Sequence, residues 1–275
     1  MYGETWGDGP PSVLVLHGWR RTHADFAGSV GPAWPEGPLP TLAPDLPGFG
    51  ATPAPAVAWG SVDYAAAVAR LFDAPPQRGG EGGAREERGG EGGAREERGG
   101  EGGGGEGGAR RVVVVGHSLG GRIAVRLAAA RPELVGALVL SGAPLVARGG
   151  RRRPPVVFRV ARAMHRAHLV GDARMERARR RHGSADYRAA EGVIRDILVR
   201  LVNERYDDAL AAVRCPVELV WGDDDAEAPL SVASAIVDAL PDARLTVCPG
   251  AGHLTPLTAP GELRAAVERA LARRT

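Results

Sequence analysis

Chemistry first becomes legible in this 275-residue chain at a serine set among glycines. Gly116-His117-Ser118-Leu119-Gly120-Gly121 follows four consecutive valines, Val112 to Val115, and runs into the helical pattern Arg122-Ile123-Ala124-Val125-Arg126-Leu127-Ala128. Four β-branched residues in a row predict a strand buried on both faces. A strand that becomes a helix within about two residues forces the corner residue into strained φ/ψ, and its neighbours must be nearly without side chains. Gly116 and Gly120 meet that need. Ser118 Oγ would then stand proud of the sheet, above helix N-terminal amides that favour developing negative charge, which is the setting of a nucleophile. In a chain with 40 glycines G-x-S-x-G also arises as an ordinary turn, so the strand before it and the helix after it carry the argument.

A serine nucleophile needs a base, an acid that orients the base, and donors for an oxyanion. The strand pattern Val13-Leu14-Val15-Leu16 leads into His17-Gly18-Trp19-Arg20. There the backbone N–H of Trp19 can turn toward the nucleophile and join that of Leu119, the residue directly after Ser118. His17, at a strand end before glycine, reads as a structural, hydrogen-bonded histidine rather than as the base. Two later strand patterns, 217–221 and 244–247, end in the loops Gly222-Asp223-Asp224-Asp225-Ala226-Glu227-Ala228-Pro229 and Pro249-Gly250-Ala251-Gly252-His253. Both loops leave the edge of the sheet that carries Ser118. A histidine in a glycine-rich loop can reach a serine hydroxyl, and a neighbouring carboxylate fixes its tautomer and stabilises the imidazolium.

The elements that must hold these groups alternate along the chain. Strand candidates fall at 13–16, 41–43, 112–115, 137–140, 217–221 and 244–247, with helical patterns at 61–74, 121–130, 230–240 and 260–274. Alternation predicts an α/β fold, a mostly parallel central sheet with helices on both faces. Two stretches depart from it. Residues 79–108 repeat Gly79-Gly80-Glu81-Gly82-Gly83-Ala84-Arg85-Glu86-Glu87-Arg88 and hold no large apolar side chain, so a disordered loop is expected there. Residues 145–206 form a helical block read as a small lid over the C-terminal edge of the sheet. Its helices are expected around 156–169, at 172–182 and, as one long helix, at 184–204 with Ile194, Ile197, Leu198 and Leu201 on one stripe. The core then comprises residues 1–144 and 207–275. Twelve Arg against two acids between 148 and 181 read as a solvated face before an anion-binding one.

With His17-Gly18-Trp19, Asp45-Leu46-Pro47-Gly48-Phe49-Gly50, the Ser118 motif, Gly222-x-x-Asp225-x-x-x-Pro229 and Gly250-Ala251-Gly252-His253 in this order, the chain resembles the α/β-hydrolase-fold superfamily. The likeness is to its lid-bearing group, which includes esterases, C–C bond hydrolases and cofactor-free haloperoxidases. It implies a triad of Ser118, Asp225 and His253, with Asp225 chosen among three adjacent aspartates by the family's Gly-x-x-Asp spacing. It also implies an oxyanion hole from the backbone of Trp19 and Leu119, and an acyl-enzyme route for an ester, thioester or related carbonyl substrate, with no metal and no organic cofactor. An acyltransferase or perhydrolase with the same triad, and a non-catalytic ligand-binding protein on the same scaffold, are the alternatives. One departure is the short stretch before the first strong strand, which leaves room for a single antiparallel strand at Tyr2 to Trp6.

Phe49, Phe158 and Trp221 are the candidates for an apolar pocket, which implies a small to medium, partly apolar substrate. The bulk properties predict a soluble globular protein. Hydrophobic residues make up 44%, enough for one substantial core, and 35 basic residues against 33 acids give a net charge of +2, no argument for a nucleic-acid partner. No apolar run approaches the ~18 residues of a membrane span and the first residues lack a leader pattern, so no membrane association and a cytoplasmic monomer or homodimer are expected. Cys215 and Cys248, at opposite ends of neighbouring strands, are expected to be free.

Overall fold

The computed structural model describes residues 1–73, 111–146, 171 and 184–274. The repeat at 79–108, Phe158 and the first two helices expected within 145–206 lie outside the described residues. Seven strands are present among the described residues: β1 Gly3–Trp6, β2 Val13–Leu16, β3 Thr41–Pro44, β4 Val112–His117, β5 Val135–Ser141, β6 Val217–Gly222 and β7 Ala243–Cys248. They form one sheet in the order β1-β3-β2-β4-β5-β6-β7, in which only the β1–β3 pair is antiparallel. Chain order reverses around β2, since β3 lies on one side of it and β4 on the other. In an open parallel sheet the ends of two such strands part and leave a crevice, and that is where the Trp19 and Ser118 loops emerge.

The period of two along each strand sorts the core. Leu14, Leu16, Val112, Val114, Leu138, Leu140 and Leu219 face one way, toward helices α1 (Ser61–Asp73) and α2 (Leu119–Ala130). Val13, Val15, Val113, Val115, Ala137, Val139 and Val220 face the other, where the last helix, Pro260–Arg273, supplies Leu263, Ala266, Val267 and Ala270. With both faces covered, the valine run of β4 is apolar throughout, as the sequence pattern requires. The register Gly222↔Cys248 at one end of the β6–β7 pair leaves Cys215 beyond the other end, and both thiols are free.

The long helix expected over 184–204 is two helices instead: α3 Ala185–Ala189 and α4 Gly192–Asn203. Ala190 and Glu191 between them are extended (ψ 142° and 159°), and Gly192 takes φ 51°, a left-handed conformation that glycine adopts without strain. Sequence periodicity saw the apolar stripe of α4 but not the break, because each half continues a helical pattern by itself. Further helices follow: α5 Asp207–Ala212, α6 Leu230–Ala239, the single turn α7 Thr255–Thr258, and α8 Pro260–Arg273. Neither α5 nor α7 was legible in the sequence. The C-terminal end of α4 is tied to the start of α1, where the Glu204 carboxylate accepts from the Ser61 N–H at 3.1 and 3.2 Å, a favourable place for negative charge. No helix among the described residues is long and apolar enough to cross a membrane.

Candidate active site

Ser118 sits at the corner between β4 and α2 with φ 51° and ψ −108°. A non-glycine residue at positive φ is strained, and the surroundings show what holds it there. The Ser118 N–H donates to the carbonyl of Ser141 at the end of β5 (2.8 Å). A Cβ at Gly116 would stand 2.6 Å from the Gly120 carbonyl oxygen, and one at Gly120 would overlap the Leu16 carbonyl oxygen. Strand and helix therefore pass at backbone contact, and the end of β2 abuts the first turn of α2. Among the described residues the only other non-glycine at positive φ is Arg20 (φ 56°), next to Trp19. Ser118 lines the cleft described below, whereas Arg20 lines a separate pocket with Phe49 and Ile194.

The loop after β2 is fastened by His17, which is fully buried. Its Nε2 accepts from the Leu46 N–H (2.9 Å), so Nδ1 carries the proton and donates to the Gly18 carbonyl (2.8 Å). Burial holds His17 below the ordinary histidine pKa, which suits this neutral, structural role and not that of a base. The Asp45 loop is fixed in turn by Asp45, whose carboxylate accepts from the backbone N–H of His23 and Ala51 (both 3.0 Å) and from His23 Nδ1 (2.7 Å).

Of the three adjacent aspartates, Asp225 alone meets His253. Its Oδ2 accepts from His253 Nδ1 at 2.8 Å, while Oδ1 accepts from the backbone N–H of Glu227 (2.8 Å) and Ala228 (2.7 Å). Asp225 is buried; desolvation opposes ionisation, but the bonds from His253 and from the two amides outweigh it, and its carboxyl stays below the usual range. Asp223 and Asp224 are exposed. Asp223 accepts from the Gly250 N–H (2.7 Å), which staples the two loops together. With Nδ1 protonated toward Asp225, His253 Nε2 is the free acceptor of the ring.

Several neighbours were not foreseen from the sequence. Gly142 (φ 56°) lets the His253 ring lie against the end of β5, since a Cβ there would stand 2.9 Å from Cε1 and 3.0 Å from Nδ1. His117, fully buried, packs its ring on His253 with centroids 5.0 Å apart, and its Nδ1 donates to the Ser141 carbonyl (3.2 Å). Burial, then the nearby His253, lowers its pKa to about 3, so it is a neutral wall and not a second base. Ser141 Oγ in turn hydrogen-bonds Thr255 Oγ1, two residues after His253. Glu227 places its Oε2 3.5 Å from His253 Nε2. The only sequence signal for these was proximity to the motifs.

Ser118, His253, Trp19, Leu119 and Glu227 line one cleft of about 990 Å³, closed on the far side by Leu145 and by Leu198 and Leu201 of α4. Two of the expected pocket residues lie elsewhere. Trp221 is fully buried, its indole N–H donating to the Ala228 carbonyl (2.6 Å), because its position in β6 points it into the core layer that also holds Val232, Ala233 and Ile236 of α6. Phe49 is buried edge to face against Trp19, with centroids 4.9 Å apart, and lines a separate small pocket rather than the Ser118 cleft. A second cavity, about 580 Å³, opens between α1, α2 and α5, and its lining offers no serine, cysteine or histidine, its carboxylates Asp73 and Asp208 being paired with Arg131 and Arg126. Among the described residues no group of three or more His, Cys, Asp or Glu could hold a metal ion.

Residues 13–266 match the alpha/beta hydrolase family, and the chain belongs to that family. It is 31% identical over 198 residues to the lipase LipV of Mycobacterium tuberculosis, covering 72% of this chain and 61% of LipV. It is 27% identical over 163 residues to a 2-hydroxy-6-oxononadienedioate/2-hydroxy-6-oxononatrienedioate hydrolase of Cupriavidus pinatubonensis, covering 52% of this chain and 56% of that protein. The chain thus spans about three-fifths of the length of the curated relatives it matches. Among solved structures, a thermophilic esterase from Thermogutta terrifontis superposes with a TM-score of 0.63 at 21% identity, covering 98% of this chain and 92% of the esterase, a likeness of fold.

Proposed function

We propose that the protein is a serine hydrolase that cleaves an ester, thioester or related carbonyl substrate through an acyl-enzyme intermediate. One observation carries the reading: the His253–Asp225 pair opens, through the free Nε2, onto the cleft that the strained Ser118 also enters. His253 Nε2 takes the Ser118 proton as Oγ attacks the carbonyl carbon, and the carbonyl π electrons move to oxygen. The backbone N–H groups of Leu119 and Trp19 receive that oxyanion. Its collapse expels the leaving group, which takes the proton back from Nε2. Water then repeats the sequence: it gives a proton to Nε2, attacks the acyl carbon, and collapse releases the acid while the proton returns to Ser118. Every step uses protein groups and water. Names of lipase, hydrolase and esterase among the relatives and fold neighbours support the same chemistry.

The test is covalent labelling by a fluorophosphonate probe, read by peptide mass spectrometry, beside turnover of p-nitrophenyl esters of graded chain length. Labelling at Ser118 with turnover of some ester is the expected result. A protein that neither labels at Ser118 nor turns over any ester is a ligand-binding protein on a hydrolase scaffold. Product partition with added alcohol, amine or peroxide separates water from another acyl acceptor.

A further inference from the structure

Whatever alcohol or amine leaves during acylation receives its proton from His253 Nε2, so the leaving atom must come within about 3 Å of that nitrogen. Glu227 Oε2 already lies 3.5 Å from it. The leaving atom is therefore held within roughly 6 to 7 Å of a carboxylate, and a substituent two carbons farther out can approach it more closely. Glu227 is fixed at its backbone by the turn that orders Asp225, its N–H donating to Asp225 Oδ1, while its side chain is 71% exposed at the lip of the cleft. Among the described residues no arginine or lysine pairs with it, and its close ionisable neighbour is the His253 ring. Most other charged groups of the cleft have partners within the protein. Glu204 accepts from the Ser61 N–H and the Tyr206 hydroxyl, Asp207 pairs with Arg205, and Arg122 donates to the Leu201 carbonyl with its guanidinium over the Tyr206 ring, while Asp186 of α3 lines the cleft as a further carboxylate.

We propose that Glu227 determines specificity on the leaving-group side, favouring substrates whose leaving alcohol or amine carries a positive charge and disfavouring anionic leaving groups. The inference rests on the serine-hydrolase reading above. A cation about 5 Å from an exposed carboxylate gains an interaction that solvent and salt reduce, and a preference of roughly 3- to 10-fold in kcat/KM is the expected scale.

An isosteric pair of acetates isolates the charge: acetylcholine, with a quaternary nitrogen, and 3,3-dimethylbutyl acetate, with carbon in its place. The quantity read is the ratio of their kcat/KM values in wild type, Glu227→Gln and Glu227→Lys, so that effects common to both substrates cancel. The expected result is a ratio that falls about 3- to 10-fold in Glu227→Gln, falls further in Glu227→Lys, and in wild type declines toward the Gln value as salt rises. The same ratio in all three proteins overturns the proposal. Turnover of neither acetate by a wild type whose Ser118 is labelled by a fluorophosphonate overturns it alone. Failure of Ser118 to label removes the hydrolase reading and this inference with it.

Discussion

Asp225 shows how a single register position is set by backbone geometry. Leaving β6, three successive carboxylates point in different directions, and only the third finds both the His253 Nδ1–H and two backbone amides. Asp225→Asn should lower kcat by roughly 10² to 10⁴-fold, because the amide can present its NH₂ to Nδ1 and reverse the tautomer. The same change at Asp223 or Asp224 should cost less than about tenfold, since both carboxylates are exposed and neither touches the ring. Steady-state kinetics on the best p-nitrophenyl ester decides it, and a crippling Asp224→Asn would refute the assignment. Ser118→Ala should leave the fold intact and remove about 10³-fold or more of the hydrolysis, because oxyanion donors alone supply no nucleophile. Circular dichroism beside the same assay checks both halves of that statement.

At the scale of the element, α8 is fastened to the sheet by a charge that sequence patterning would exclude from a strand. Glu218, in the middle of β6, is fully buried on the face that α8 covers, and accepts from Arg269 Nε and Arg273 Nη1 at 2.9 Å each. The two guanidinium groups keep about a third of their side-chain surface in solvent (33% and 29%), so the two sides of the pair differ in what their loss exposes. Removing the carboxylate by Glu218→Ala leaves hydrated arginines and should cost about 1 to 3 kcal/mol. Removing both arginines by Arg269→Met with Arg273→Met strands a buried carboxylate and should cost more, about 3 to 5 kcal/mol. Urea unfolding of the two variants measures the asymmetry, and equal losses would show that the carboxylate is hydrated after all.

For the whole molecule, the same polar network that orders the site makes the fold sensitive to acid. His117 titrates near 3 in the folded protein against about 6.5 in an unfolded chain, so between those values the unfolded state binds the extra proton. Its contribution is complete above pH 6.5 and declines as pH falls, by roughly 2 kcal/mol at pH 5. His17, also held below its ordinary value by burial, acts in the same direction. Asp225 and Asp45, both depressed, add stability that is present above the ordinary carboxyl range and is lost only as pH drops through their folded values, a lower window. The urea midpoint should therefore fall between pH 7.5 and 5, and fall less in His117→Gln, which has no proton to gain. A midpoint as pH-dependent in His117→Gln as in wild type would contradict this account.

The sequence by itself determined the alternation of strand and helix, the corner that strains Ser118, the order of the three candidate triad positions and the structural role of His17. Each follows from residue type at short range: β-branched runs, glycines where backbones must touch, and acid or histidine at strand ends. It did not determine the break at Ala190 to Gly192, the burial of Trp221 away from the cleft, or the company His253 keeps in His117, Gly142 and Glu227. The first was hidden because each half continues a helical pattern by itself, and the other two depend on which strands lie side by side and at what register. The ends of β4, β5 and β6 meet His253 only once the sheet has formed, and a side chain's distance from a base two loops away is a property of that packing, not of any local pattern.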